Sequence, residues 1–149
     1  MQRKAQIGDI KNIQKLLTAY AAKGDMLSRS LSELYESLRD YYVDVDGERL
    51  LGTAALHILW EDLAEVRSVA VAEDAGRAGI GSRLVQACIA EARELGLKRV
   101  FCLTYKPEFF SKHGFRLVDK SELPHKVWSD CIKCVKFPDC DENAMTLDL

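Results

Sequence analysis

The sequence has no long apolar run, no excess of either charge, no repeat and no low-complexity stretch, and each absence removes a class of protein. No segment approaches the roughly 20 apolar residues that a membrane-spanning helix needs. Met1-Gln2-Arg3-Lys4-Ala5 lacks the apolar core of a secretion signal, so a cytoplasmic protein without a membrane partner is expected. A formal net charge of −2 provides no broad basic field, and nucleic acid is not an expected partner. Five cysteines is an odd number in a chain without an export signal, which argues for reduced thiols or metal ligands over a disulfide framework. The 149 residues suit one domain over 1–149, with residues 123–149 as a cysteine-containing extension that carries the last strand.

What is present alternates in period. Arg3 to Ile7 reads as a first strand, Gly8-Asp9 as a helix cap, and Ile10, Ile13, Leu16, Leu17 and Tyr20 as one face of a helix ending near Gly24. Ser30-Leu31-Ser32-Glu33 has the spacing of a capping box ahead of a second short helix. Tyr41 to Val45 and Leu50 to Leu59 form a hairpin about Asp46-Gly47-Glu48. A strand then runs into Gly76-Arg77-Ala78-Gly79-Ile80-Gly81 and a helix with Ile80, Leu84, Cys88, Ile89, Ala92 and Leu95 on one side. Lys98 to Thr104 is a strand, Pro107 to His113 a short helix stopped by Gly114, Phe115 to Val118 a strand, and Ala144 to Leu149 the last. An apolar helix is expected near Val127 to Cys134. The order β-α-α-β-β-β-α-β-α-β-β is an α/β domain with a mixed central sheet flanked by helices. A final strand on an exposed edge would suit a homodimer.

The stretch from Glu65 to Val85 organises the rest. Strand alternation puts Glu65, Arg67, Val69 and Val71 on one face and Ala64, Val66, Ser68 and Ala70 on the other. Gly79 and Gly81 keep bulky side chains away from the helix start, where backbone N–H groups can hold a pyrophosphate. This stretch resembles the acetyl-CoA-binding core of the GNAT N-acetyltransferases, whose signature is Arg/Gln-x-x-Gly-x-Gly/Ala after such a strand. Gly79 and Gly81 match, whereas Gly76 stands at the first position with Arg77 displaced by one. Gly114-Phe115 after a short helix is a second GNAT landmark. The segments from Ala55 to Val71 and from Leu103 to Phe115 are similar to the acetyltransferase domain of bacterial N-acetylglutamate synthases. Larger members of that group carry a kinase-like domain in front that binds arginine; this chain begins at the acetyltransferase domain, so that regulation is not carried over.

The resemblance implies the GNAT fold and transfer of acetyl from acetyl-CoA to the α-amine of L-glutamate, the first step of arginine biosynthesis. It also implies cofactor contacts from Val69, Ala70, Val71, Gly76, Arg77, Ala78, Gly79, Ile80, Gly81 and Ser82, with strand main-chain groups near Val69 and Val71 taking the pantetheine arm. Such chemistry needs a neutral amine, a polarised carbonyl and a protonated leaving thiolate. Glu65 is placed to deprotonate the amine, the alternative being a simple ion pair with Arg67. The usual tyrosine acid of the family falls on Phe110, which leaves Tyr105 or a water to protonate the thiolate. A dicarboxylate acceptor calls for an arginine clamp, and Arg29 and Arg67 are the candidates, with Lys106 and Lys112 weaker ones. His57 and His113 read as structural, and Cys88 and Cys102 as small buried hydrophobes. In the tail, Cys131, Cys134 and Cys140 with His125 could hold zinc, form a redox pair, or remain reduced and packed. The other functions compatible with these residues are acetylation of another small amine or a protein N-terminus, and a non-catalytic acetyl-CoA-binding regulatory protein.

Overall fold

The computed structural model describes residues 1–75, 78–124 and 142–149. Its elements are β1 (Gln2–Lys4), α1 (Ile10–Ala22), α2 (Leu31–Glu36), β2 (Tyr41–Asp46), β3 (Arg49–Trp60), β4 (Leu63–Val71), α3 (Ile80–Glu94), β5 (Arg99–Thr104), α4 (Pro107–Ser111), β6 (Arg116–Val118) and β7 (Asn143–Asp148). The expected helix over Val127 to Cys134 lies outside the described residues.

Local chemistry explains most boundaries. Ser30 caps α2 by accepting from the Glu33 amide at 3.1 Å. Gly47 takes φ +61 in the β2–β3 turn, a conformation in which a Cβ is strained. Asp9 differs from expectation. Its carboxylate does not cap α1 but turns back, accepting from Arg3 Nη1 and Nη2 at 2.7 and 3.1 Å and from the Gln6 amide at 2.7 Å. A bidentate guanidinium is the stronger partner for a carboxylate.

The seven strands form one mixed sheet in the order β1-β2-β3-β4-β5-β7-β6. All neighbours are antiparallel except β4 and β5, which α3 joins in parallel. The final strand is therefore not an edge: β7 inserts between β5 and β6, with Ala144, Met145 and Thr146 buried. The reason for expecting a homodimer through that strand falls away. One core lies between the sheet and α3, with Leu84, Val85, Cys88, Val66, Val100 and Met145 at its centre. A second, under α1 and α2, gathers Ile10, Ile13, Leu17, Leu34, Tyr41 and Val43. A third, smaller cluster holds Leu63, Phe101, Leu123 and Ala144. Among the described residues, no helix is long and apolar enough to cross a membrane.

Candidate active site

The site begins where β4 leaves its neighbours. Pairing of β4 with β5 covers Leu63↔Arg99, Ala64↔Val100 and Glu65↔Phe101, although β4 continues to Val71 and β5 to Thr104. Two parallel strands that part toward their carboxyl ends leave main-chain groups of β4 open to a ligand. On its other side β4 stays paired with β3 but slips register between Thr53↔Ala70 and Ala55↔Arg67. The extra residue is Ser68, at φ +56, the only non-glycine residue with positive φ among those described. Its Oγ lies 3.2 Å from Tyr41 Oη. Holding a side chain in this region costs about 1–3 kcal/mol, so the surrounding packing must enforce it.

The bulge corrects the alternation expected for β4. A continuous period of two would put Val69 and Val71 beside Glu65 and Arg67. Instead the extra residue exchanges the faces beyond Ser68. Val69 and Val71 pack on the α3 side with Val66, and Ala70 joins the α1–α2 core. Glu65 and Arg67 thus remain on the α1–α2 face without the valines.

The glycine loop leads into α3 through Gly79, which adopts φ +72, ψ +17 just before the first helical residue. The first helical hydrogen bond there runs from Arg83 N to Gly79 O at 3.1 Å, so the N–H groups of Ile80, Gly81 and Ser82 precede the helical ladder. A Cβ on Gly81 would lie 3.4 Å from Val71 and 3.5 Å from Phe109, which ties the loop to β4 and to α4. Arg83 Nη1 donates to Ala78 O at 2.9 Å. Gly76 and Arg77 lie outside the described residues. Val71 is already engaged: Tyr20 Oη, from the end of α1, donates to its carbonyl at 2.8 Å and accepts from its amide at 3.0 Å. A ligand pairing with those same groups must displace the hydroxyl.

On the α1–α2 face, charged groups gather near Tyr41. Arg29 precedes α2, its side chain 9% exposed and its Nη1 3.5 Å from Glu33. Its carbonyl accepts from Gln14 Nε2 of α1 at 3.4 Å. Arg67 Nη1 lies 3.6 Å from Glu65 Oε1, with side-chain exposures of 12% and 15%. Both guanidiniums act on Tyr41, drawing its hydroxyl back toward its ordinary range although burial dominates and pushes it up. The two arginines proposed from sequence therefore share one neighbourhood with Glu65.

The acid positions separate. Phe110 is buried, edge-on to Phe109 and Phe115, and serves as core. Tyr105 follows the last residue of β5, half-buried. Cys88 and Cys102 are buried free thiols. Burial pushes Cys88 up to about 12 and Cys102 higher still, with Glu65 adding to the latter. Lys106 and Lys112, the weaker carboxylate candidates, are both exposed, and the Lys106 main-chain amide donates to Thr104 Oγ1 at 2.9 Å. His125, Cys131, Cys134 and Cys140 lie outside the described residues, and among the described ones no cluster of three acidic, histidine or cysteine side chains is placed to hold a metal.

One arrangement escaped the sequence. His57 Nδ1 lies 2.7 Å from Asp40 Oδ2, and His57 stands directly across β3 from Glu65. The partners are 17 positions apart, and nothing in the spacing joins them. The available signal was the hairpin register, which brings His57 opposite Glu65.

A mixed sheet whose two central parallel strands part beside a glycine-capped helix defines an acyltransferase of the acetyl-CoA-binding type. The chain belongs to the acetyltransferase (GNAT) family, whose model matches residues 11–115. An uncharacterised N-acetyltransferase of Chlorobaculum tepidum is 37% identical over 147 residues, covering 99% of this chain and 95% of the relative. An amino-acid acetyltransferase of Mycobacterium tuberculosis is 37% identical over 132 residues, covering 86% and 75%. Among solved structures, Rv2747 of Mycobacterium tuberculosis in complex with CoA and NLQ superposes with a TM-score of 0.84 at 32% identity, over 100% of this chain and 99% of the other. The N-acetylglutamate synthase of Neisseria gonorrhoeae, complexed with CoA and N-acetyl-glutamate, gives a TM-score of 0.90 at 28% identity. The match covers 100% of this chain but 35% of that longer one. The chain is thus a GNAT acetyltransferase with amino-acid acetyltransferases among its relatives.

Proposed function

We propose that this protein transfers the acetyl group of acetyl-CoA to the α-amine of an amino acid, L-glutamate by preference, by direct attack in a ternary complex. The observation that carries the reading is that Arg29 and Arg67 both act on Tyr41, with Glu65 beside Arg67 on β4, next to the parting of β4 from β5. Relatives named as amino-acid acetyltransferases, and the synthase solved with CoA and N-acetyl-glutamate, support the acceptor class.

In this scheme Ala78, Gly79, Ile80, Gly81 and Ser82, with Gly76 and Arg77, hold the pyrophosphate. Amides ahead of the helical ladder suit phosphate oxygens, and the helix dipole adds to them. The pantetheine lies along the edge of β4 from Val69 to Val71, displacing the Tyr20 hydroxyl where it pairs with Val71, and brings the thioester to the parting. Arg29 and Arg67 bind the acceptor's carboxylates, and Glu65 takes a proton from its ammonium group. The free amine attacks the carbonyl carbon, the C–S bond breaks, and the second nitrogen-borne proton passes through water to replace the one given to the thiolate. The thiolate is protonated by Tyr105 or a water, since Phe110 has no proton to give. Neither buried thiol takes part, because attack requires a thiolate.

The test is thiol release from acetyl-CoA across the twenty amino acids, with product masses measured. Turnover selective for L-glutamate is expected. Saturable acetyl-CoA binding with turnover of none of the twenty, or of others in preference to L-glutamate, overturns the acceptor assignment. If the tail binds zinc through His125, Cys131, Cys134 and Cys140, purified protein carries it stoichiometrically.

A further inference from the structure

Acetylation of an amine that arrives protonated releases one proton per turnover. The nitrogen loses two, the departing thiolate recovers one, and the other must leave the site. Glu65 receives the first proton but is poorly placed to discharge it, with its side chain 15% exposed and Arg67 at 3.6 Å. We propose that His57, held by Asp40, carries this proton from Glu65 to solvent. The proposal rests on Glu65 being the base.

Three observations support it. His57 and Glu65 are register partners on adjacent antiparallel strands, so their side chains share a face with Cβ atoms about 4.5–5.5 Å apart. The Asp40 carboxylate lies 2.7 Å from His57 Nδ1. A carboxylate only accepts, so Nδ1 bears the hydrogen and the lone pair lies on Nε2. Finally, the His57 side chain is 33% exposed and that of Asp40 25%, both more open than Glu65. The row Asp40, His57, Glu65 runs from the Leu38–Asp40 turn across β3 to β4, from the more open groups to the more buried one. The charged or titratable groups around it include Arg67 on β4, Tyr41 on β2, Arg29 ahead of α2, and the buried thiols of Cys102 on β5 and Cys88 on α3. The Glu65 carboxylic acid passes its proton to Nε2, the imidazolium stays paired with Asp40, and water takes the proton from the exposed ring. No oxidant or further reactant is needed. His57 touches no reacting atom in this scheme and is a positioning residue for the proton.

The experiment compares H57Q, D40N and E65Q in steady-state turnover of acetyl-CoA with L-glutamate, over a pH series and a series of imidazole and phosphate concentrations. H57Q is expected to lose about 10-fold or more in kcat, with KM for acetyl-CoA unchanged, and to regain rate as the small buffers rise. Wild type should be insensitive to them. D40N should fall in the same direction by less, and E65Q should lose more and not recover. H57Q also removes a tie between β3 and the Leu38–Asp40 turn, so each variant's melting temperature is taken. A folded H57Q that is slow but indifferent to buffer has lost a structural contact, and this overturns the relay. Full rate in H57Q with an unchanged pH profile does the same while leaving Glu65 as base if E65Q is inactive. Full rate in E65Q overturns the base assignment and the relay with it.

Discussion

Arg29 and Arg67 carry the same charge in different settings. Arg67 shares its strand face with Glu65, whereas Arg29 is nine-tenths buried at the start of α2 and steadied through its main chain by Gln14. Arg29 is therefore the better separated from the chemistry and the cleaner probe of acceptor binding. A charge-assisted bidentate contact contributes roughly 1.5–3 kcal/mol, so Arg29→Ala should raise KM for L-glutamate about 10- to 100-fold while KM for acetyl-CoA stays unchanged. Arg29→Lys should recover part of that, because one ammonium cannot reproduce the fork. Equal loss toward both substrates would point to a disturbed α2. The cysteines lead to a second expectation. With both thiols buried and held far from ionisation, Cys88 and Cys102 should resist iodoacetamide at pH 8 in the folded protein and react once unfolded, as peptide mapping by mass spectrometry would show. Cys102→Ala should keep turnover within about threefold; loss of activity with an intact fold would revive a covalent acetyl-cysteine route.

How closely α3 seats on the sheet depends on a residue in β3. A Cβ on Gly52 would fall 2.9 Å from Ile80 Cγ2, 3.1 Å from Leu84 Cδ1 and 3.2 Å from the Ala70 carbonyl. The first turn of α3, whose amides are proposed to hold the cofactor, can approach the strands only because that side chain is missing. Gly52→Ala should lower stability by roughly 1–3 kcal/mol and weaken acetyl-CoA more than the amino acid, measurable as a lower Tm and a raised KM. Sequence periodicity could not reveal this requirement, because the packing partners lie 28 and 32 positions away in number but meet only in the fold. The elements themselves were legible. Gly47, Ser30, Gly79 and Gly114 mark turns and helix ends through local backbone chemistry, and the alternation of periods gave the element order. What alternation misses is the bulge. Ser68 has nothing in its own type that demands φ +56, and one inserted residue reverses every face beyond it. Glu65 and Arg67 were legible as charges on an apolar strand, and Arg29 as an arginine just ahead of α2. The Asp40–His57 pair was not, because Asp40 ends a short turn whose approach to β3 is tertiary.

For the molecule as a whole, acid should act in two stages set by different parts of the fold. His113 ends the segment that α4 begins, its ring 5.3 Å from that of Phe109, and neither ring nitrogen has a hydrogen-bond partner among the described residues. Burial first and Lys112 second hold it below the ordinary histidine value of 6.5. The unfolded chain thus takes up a proton that the folded state resists. The sign follows: this contribution is fully present above about pH 6.5 and is lost as pH falls toward the folded-state value. Asp9 is lowered from 3.8, chiefly by its hydrogen bond with Arg3, so its contribution persists through that first range and fades only at more acid pH. Thermal melts from pH 8 to pH 3 should therefore show Tm declining first as pH falls below about 6.5 and again below about 3.8. His113→Leu should flatten the first decline and leave the second. Arg3→Gln should do the reverse, weakening the tie between β1 and the turn ahead of α1 while leaving the first decline in place. If His113→Leu leaves the slope just below pH 6.5 unchanged, the half-buried imidazole is not the group that opens the fold to acid.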